Sequence, residues 1–150
     1  MRRNTDLLYI AYGSNMVKEQ MAFRCPDATL VGTGRIEGAR LEFYLHATVE
    51  RTDDPAETVP VAVWEISELD ESSLDLYEGV RGGYYTKETW PVLMDDGSRI
   101  EGLIYVMKLI RNSPPTRSYY NGIQNAYMEL GLADQIRPVL EAALNRSLSR

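Results

Sequence analysis

The stretch LYIAYGSNM (residues 8–16) joins an apolar run to three small residues. The run at residues 7–12 is short and continuous, which predicts a buried strand. It stops at Gly13-Ser14-Asn15, and the residues that follow have helical composition as far as Pro26. A strand that passes through glycine into a helix leaves backbone N–H groups directed at whatever lies above the strand end. The stretch therefore predicts either a site for carboxylate and carbonyl oxygens or a plain strand-to-helix turn.

The middle of the chain predicts strands. Between Thr29 and Ile66, the segments TLVGTGRI, RLEFYLHATV and VPVAVWEI have β-type patterns and predict about three strands. Further along, YYTKETWPVLM and RIEGLIYVMKLI are joined by Asp95-Asp96-Gly97-Ser98, which is turn chemistry. These two segments predict a β-hairpin.

Helices are predicted on either side of this hairpin. Ser67 and Asp70 have the spacing of a capping box, which predicts a helix over about residues 68–78 that ends at Gly79. Two more helices are predicted after Pro115, the second from about residue 134 to 148, and we expect them to cover the sheet. The pattern predicts one α+β domain over residues 1–150, with a mostly antiparallel sheet that can close into a small β-barrel with flanking helices.

Composition excludes several classes of function. The 16 basic and 22 acidic residues give a net charge of −6, which argues against nucleic acid as a partner. Cys25 and His46 are the only cysteine and histidine, so we expect no disulfide and no Cys/His metal site, and we read both as structural residues. There is no apolar run of 18 residues, and the start of the chain is too polar for a secretory leader, so we expect no membrane partner and a cytoplasmic location.

A second candidate feature is LDLYEGVRGGYY (residues 74–85). It places Glu78 at the end of a helix, before three glycines and paired tyrosines. The negative end of the helix dipole and burial among tyrosines would both raise the pKa of this carboxyl group, which would make it a better base near neutral pH. The alternative is a surface glutamate at a frayed helix end, paired with Arg81.

Taken together, these motifs resemble the gamma-glutamylcyclotransferase-like family, which includes AIG2-like and BtrG-like proteins. The resemblance is collinear over most of the chain, and its order and spacing are more specific than either main motif alone. The matching residues are Tyr12-Gly13-Ser14-Asn15, Ala47-Thr48, Val63-Trp64, Leu74-Asp75, Glu78-Gly79-Val80, Tyr85, Tyr105-Val106-Met107, Pro115, Tyr119 and Ile123.

The resemblance implies a fold around a β-barrel and an intramolecular reaction. The α-amine of a γ-glutamyl group attacks its own γ-carbonyl, which gives 5-oxoproline and releases an amine or amino acid without a cofactor or metal. By the resemblance, Glu78 is the general base and acid, and the backbone of Gly13, Ser14 and Asn15, with Tyr12 beside them, binds the glutamyl group. Tyr119 would hydrogen-bond the substrate or Glu78, or only pack in the core.

Several alternatives stay open at this point. The leaving group is not identified, so the enzyme could be a γ-glutamylamine cyclotransferase or a tailoring enzyme that removes a γ-glutamyl protecting group. Glutathione metabolism is also implied by the family, although the glutathione-specific branch usually has Y-G-S-L where this chain has Asn15. A non-catalytic binding module or an interaction protein is the alternative from another class. The family also implies a homodimer.

Overall fold

A computed structural model describes residues 7–150 of the chain. Five strands form a closed barrel in the order β1-β5-β2-β6-β7, and a parallel contact between Tyr9 and Leu103 joins the last strand to the first. All other pairings in the barrel are antiparallel. The predicted α+β fold with a small, mostly antiparallel barrel is therefore confirmed. The barrel strands are β1 (Leu7–Ala11), β2 (Thr29–Glu37), β5 (Thr58–Ile66), β6 (Tyr85–Met94) and β7 (Arg99–Met107).

The remaining two strands, β3 (Ala39–Tyr44) and β4 (His46–Arg51), form a separate antiparallel hairpin. The sequence predicted a single strand here, and this prediction was wrong. Leu45 has a positive φ of 67°, which turns the chain sharply between the two strands. The hairpin is attached to the barrel through Thr48, whose Oγ1 accepts a hydrogen bond of 2.9 Å from the Met107 N–H.

Four α-helices lie outside the barrel: α1 (Lys18–Arg24), α2 (Glu68–Tyr77), α3 (Arg117–Glu129) and α4 (Ala142–Leu148). The last predicted helix differs in detail. It starts with a 3₁₀ turn at Ala133–Gln135 and a π-helical segment at Ile136–Glu141, and Pro138, which has no N–H to donate, lies within that segment. Its final part packs on β3, where Arg146 Nε donates 2.7 Å to the buried Glu42 carboxylate.

The core follows from the apolar strands. β5 is buried on both of its faces from Val59 to Trp64, and β3 of the separate hairpin also contacts it. Cys25 is buried and unpaired, which agrees with its prediction as a packed side chain. Within residues 7–150, no helix is long and apolar enough to cross a lipid bilayer. The predictions of one domain over residues 1–150 and of a start without a leader fall partly on residues 1–6, outside the described residues.

Candidate active site

A cavity of about 220 Å³ brings the two candidate motifs together. Its walls come from the end of β1 and the segment after it, α1, the end of α2, the β3–β4 hairpin, β6, β7 and the first turn of α3. All six site residues predicted from the sequence line it: Tyr12, Gly13, Ser14, Asn15, Glu78 and Tyr119. Glu78 lies 63 positions after Asn15 in the sequence, so only the fold places the two motifs in one pocket.

The segment after β1 forms a short 3₁₀ turn at Ser14–Met16. The Met16 N–H donates to the Gly13 carbonyl at 3.0 Å, and this first bond of the turn leaves the N–H groups of Ser14 and Asn15 without an acceptor inside it. A side chain at position 13 would be crowded, because its Cβ would lie 3.2 Å from the Ala47 Cβ and 3.4 Å from the Tyr119 hydroxyl oxygen. The small residues therefore keep the turn close to its neighbours and leave backbone donors at the cavity wall.

The side chain of Asn15 organises the same wall. It is buried, and its Nδ2 donates to the Tyr9 hydroxyl at 2.9 Å. Its Oδ1 accepts from Arg24 Nη1 at 2.8 Å. The Arg24 guanidinium also lies 4.3 Å from the centre of the Tyr77 ring. Asn15 thus holds both the Tyr9 hydroxyl and the Arg24 guanidinium in place.

Tyrosine hydroxyls hold the opposite wall through the backbone of Ala47. The Tyr119 hydroxyl oxygen accepts from the Ala47 N–H at 3.0 Å, and the Tyr85 hydroxyl donates to the Ala47 carbonyl at 3.0 Å. Burial raises the pKa of Tyr119 to about 12, so its hydroxyl keeps its proton at neutral pH. The Tyr12 hydroxyl donates to the Tyr105 carbonyl at 2.5 Å. Tyr12 therefore ties the turn to β7.

The Leu74-Asp75 pair of the second motif holds α2 in place. Leu74 is fully buried, and Asp75 Oδ1 accepts from the Tyr105 hydroxyl at 2.7 Å. Gly79 has a φ of 62° and ends the helix: its N–H donates to Leu76 O and the Val80 N–H donates to Asp75 O, which is a Schellman motif. These contacts position Glu78, the residue at the helix end.

Glu78 is largely enclosed, and its carboxylate has no hydrogen-bond donor among residues 7–150. Burial raises its pKa to about 7, and the nearby Arg24 guanidinium opposes this rise. The direction agrees with the sequence prediction. The alternative pairing with Arg81 is wrong, since the cation that acts on Glu78 is Arg24. A carboxyl group with a pKa near 7 can accept and return a proton at neutral pH.

Sequence reasoning missed several residues of the cavity. Arg24 is the only lysine or arginine of the lining within the described residues, and it gave no signal because it lies at the end of the short helix α1, outside any motif. His46 was expected to be a satisfied strand residue. It does begin β4, but it is exposed at the cavity wall, and its ring centre lies 5.1 Å from that of Tyr119. The lining residues not predicted are Tyr9, Gln20, Arg24, His46, Ala47, Tyr77, Tyr85 and Tyr105.

Comparisons with known proteins agree with this arrangement. The family model described as "Gamma-glutamyl cyclotransferase, AIG2-like" matches residues 9–122. Gamma-glutamylcyclotransferase of Mus musculus is 30% identical over 145 residues, which cover 90% of this chain and 77% of the mouse protein. The Homo sapiens protein of the same name is 28% identical over 147 residues, or 91% and 78% of the two chains. A solved structure described as a gamma-glutamyl cyclotransferase has a TM-score of 0.82 at 28% identity and covers 91% of this chain and 87% of its own.

Proposed function

Because this chain belongs to the AIG2-like gamma-glutamyl cyclotransferase family, we propose that it is a gamma-glutamyl cyclotransferase in which Glu78 is the general base and acid. One observation carries the assignment of roles. A carboxyl group with a pKa of about 7 lies in the same cavity as the backbone donors of residues 13–15. A binding module for an anionic group would gain nothing from a carboxylate in its pocket, whereas a reaction that moves a proton needs one.

In the proposed reaction, the substrate supplies both reacting groups. Its α-amine nitrogen forms a bond to its own γ-carbonyl carbon as the Glu78 carboxylate accepts a proton from that nitrogen. The bond between the γ-carbon and the leaving nitrogen then breaks, and Glu78 gives the proton to the leaving nitrogen. The products are 5-oxoproline and an amine or amino acid, and Glu78 returns to its ionised form. The proton balance closes, and the reaction needs no cofactor.

The cavity also offers contacts for holding the γ-glutamyl chain in a folded shape. The free N–H groups of Ser14 and Asn15 suit a carboxylate or a developing oxyanion, and Arg24 supplies a positive charge beside them. Since the reacting groups lie in one molecule, correct positioning can remove several kcal/mol of the barrier, roughly 7 at the low end of well-oriented cases. A placed acid or base adds about 10²- to 10⁴-fold.

Activity is tested by measuring 5-oxoproline release from γ-glutamyl amino acids, γ-glutamyl amines and glutathione. We expect release from at least one compound and a ranking of leaving groups from the rates. If no compound reacts while 5-oxoproline raises the melting temperature, the protein is a binding module. If neither effect occurs, an interaction protein becomes the better account.

Two further properties concern location and assembly. We propose a cytoplasmic location, which rests on the single cysteine, Cys25, which forms no disulfide. A homodimer is proposed from the family alone. Fractionation and light scattering would test these two statements separately from the activity.

A further inference from the structure

A second cavity of about 360 Å³ adjoins the first one. The residues common to both linings are His46, Tyr77, Glu78 and Tyr85. Glu78 therefore lies in the wall that the two cavities share. A substrate whose reacting amide is at Glu78 would have its γ-glutamyl half in the first cavity, and its other half would extend into the second.

The second cavity has a different chemical character from the first. Its lining is mostly aromatic and aliphatic, and several of its side chains are exposed to solvent. Leu76 is 83% exposed, Leu109 is 50% exposed and Tyr84 is 42% exposed. Exposed apolar side chains that line a concavity are suited to cover an apolar group of a ligand. A bulky hydrophobic side chain fits this lining better than a hydrogen atom or a small polar group does.

Arg111 supplies the positive charge in this lining. Its guanidinium carbon lies 5.4 Å from the centre of the Tyr84 ring, and within residues 7–150 no carboxylate forms an ion pair with it. Its backbone is held in place, because the Arg111 carbonyl accepts from the Ser113 N–H at 2.8 Å and the Ser113 carbonyl accepts from the Leu45 N–H at 2.5 Å. The Arg111 side chain is exposed, and a guanidinium without an acidic partner, on a backbone held by these two bonds, is well suited to bind a carboxylate.

His46, which also lines the second cavity, does not compete with Arg111 for that carboxylate. Partial burial lowers the pKa of His46, and the nearby Arg111 guanidinium lowers it further. The imidazole is therefore mostly neutral at pH 7, and Arg111 is the fixed cation of the second cavity.

We propose that the second cavity binds the leaving group, and that the preferred leaving group is an amino acid with a large apolar side chain whose free α-carboxylate pairs with Arg111. This inference rests on the proposed function, because it places the reacting amide at Glu78. It identifies the substrate class as γ-glutamyl dipeptides with a hydrophobic second residue. Arg111 acts here as a specificity residue, and it does not take part in the proton transfers.

Three substrates test the apolar contact and the carboxylate contact of the leaving group separately. γ-Glutamylphenylalanine has both the ring and the carboxylate, γ-glutamylglycine has no side chain, and γ-glutamylphenethylamine has no carboxylate. For the native protein, we expect kcat/KM for γ-glutamylphenylalanine to be about tenfold or more above that for each of the other two. The apolar contact and the charge-assisted contact are each expected to give roughly this factor.

The variant Arg111→Gln tests the charge directly, with Arg117→Gln as a matched control, since Arg117 is exposed and lies outside both cavities. In Arg111→Gln, we expect the preference for γ-glutamylphenylalanine over γ-glutamylphenethylamine to fall about tenfold, mainly through a higher KM. Arg111→Glu should invert the preference, whereas Arg117→Gln should keep the native one.

Failure of this inference can be distinguished from failure of the proposed cyclotransferase activity. Two results would overturn this inference and leave the cyclotransferase activity established. One is turnover of all three substrates at similar kcat/KM. The other is an equal loss of kcat/KM for γ-glutamylphenylalanine and γ-glutamylphenethylamine in Arg111→Gln. Absence of 5-oxoproline from every γ-glutamyl compound would overturn the proposed function and this inference with it.

Discussion

Replacing Glu78 with glutamine should make the folded protein more stable at alkaline pH. The carboxylate has no hydrogen-bond donor among the described residues, and burial raises its pKa from 4.5 to about 7. The folded state thus holds this proton more tightly than the unfolded state does, so ionisation of Glu78 favours unfolding. Glutamine has nearly the same shape and no charge, and it removes this penalty.

The size of the effect follows from the two pKa values. The difference between 4.5 and about 7, at about 1.4 kcal/mol per pH unit, corresponds to roughly 3 to 4 kcal/mol. The advantage of Glu78→Gln is absent below about pH 4.5, grows as the pH rises to about 7, and is constant above that value. For a chain of this size, about 3 kcal/mol raises the melting temperature by roughly 6 to 12 °C.

The assay is urea and thermal unfolding of both proteins between pH 4 and pH 8.5. Glu101→Gln is the matched control, because Glu101 is an exposed glutamate on β7. Its stability difference from the native protein should vary little over this range. If Glu78→Gln is less stable than the native protein at pH 8, or differs from it by the same amount at pH 4 and pH 8, burial does not raise the pKa of Glu78 as stated.

Three other predictions concern the same site and the end of the chain. The value of kcat/KM should fall as the pH drops below about 7, because Glu78 loses its role as a base when it is protonated; a limb near pH 4.5 in steady-state rates would contradict this. Asn15→Ala should lower kcat/KM about 10- to 100-fold in the same assay, since Tyr9 and Arg24 lose their common anchor. Deleting residues 146–150 should destabilise the fold by about 3 to 5 kcal/mol in urea unfolding at pH 7, because the buried Glu42 carboxylate loses both of its arginine partners; adding Glu42→Gln should recover part of this loss.

The parts of the fold that follow local rules could be predicted from the sequence. The capping box at Ser67 and Asp70 and the C′ glycine at Gly79 define α2 by contacts within a few residues, and the structure has both. The turn between β6 and β7 is equally local. Leu45 could not be predicted, because the sharp turn there has an aliphatic residue where a turn signal would have glycine or asparagine.

Only the parts of the candidate site with a local sequence signal could be predicted. Glu78 and the segment at residues 12–15 stood out because small residues and an acid at a helix end are unusual in sequence. Arg24 and His46 did not, since their importance comes from contacts with Asn15 and Tyr119 across the fold. The second cavity has no sequence signature either, because the fold brings its lining together from the end of α2, the start of β6, the end of β7, the turn at Leu45 and the segment before α3.

The most direct test of the account compares 5-oxoproline release by the native protein and by Glu78→Gln on whichever γ-glutamyl compound reacts fastest. Unfolding curves and the thermal shift caused by 5-oxoproline serve as controls that the variant folds and still binds. We predict that Glu78→Gln loses turnover by about 10²-fold or more while it remains folded and able to bind the product. Native-like turnover by the folded variant would show that Glu78 is not the general base and acid of the reaction.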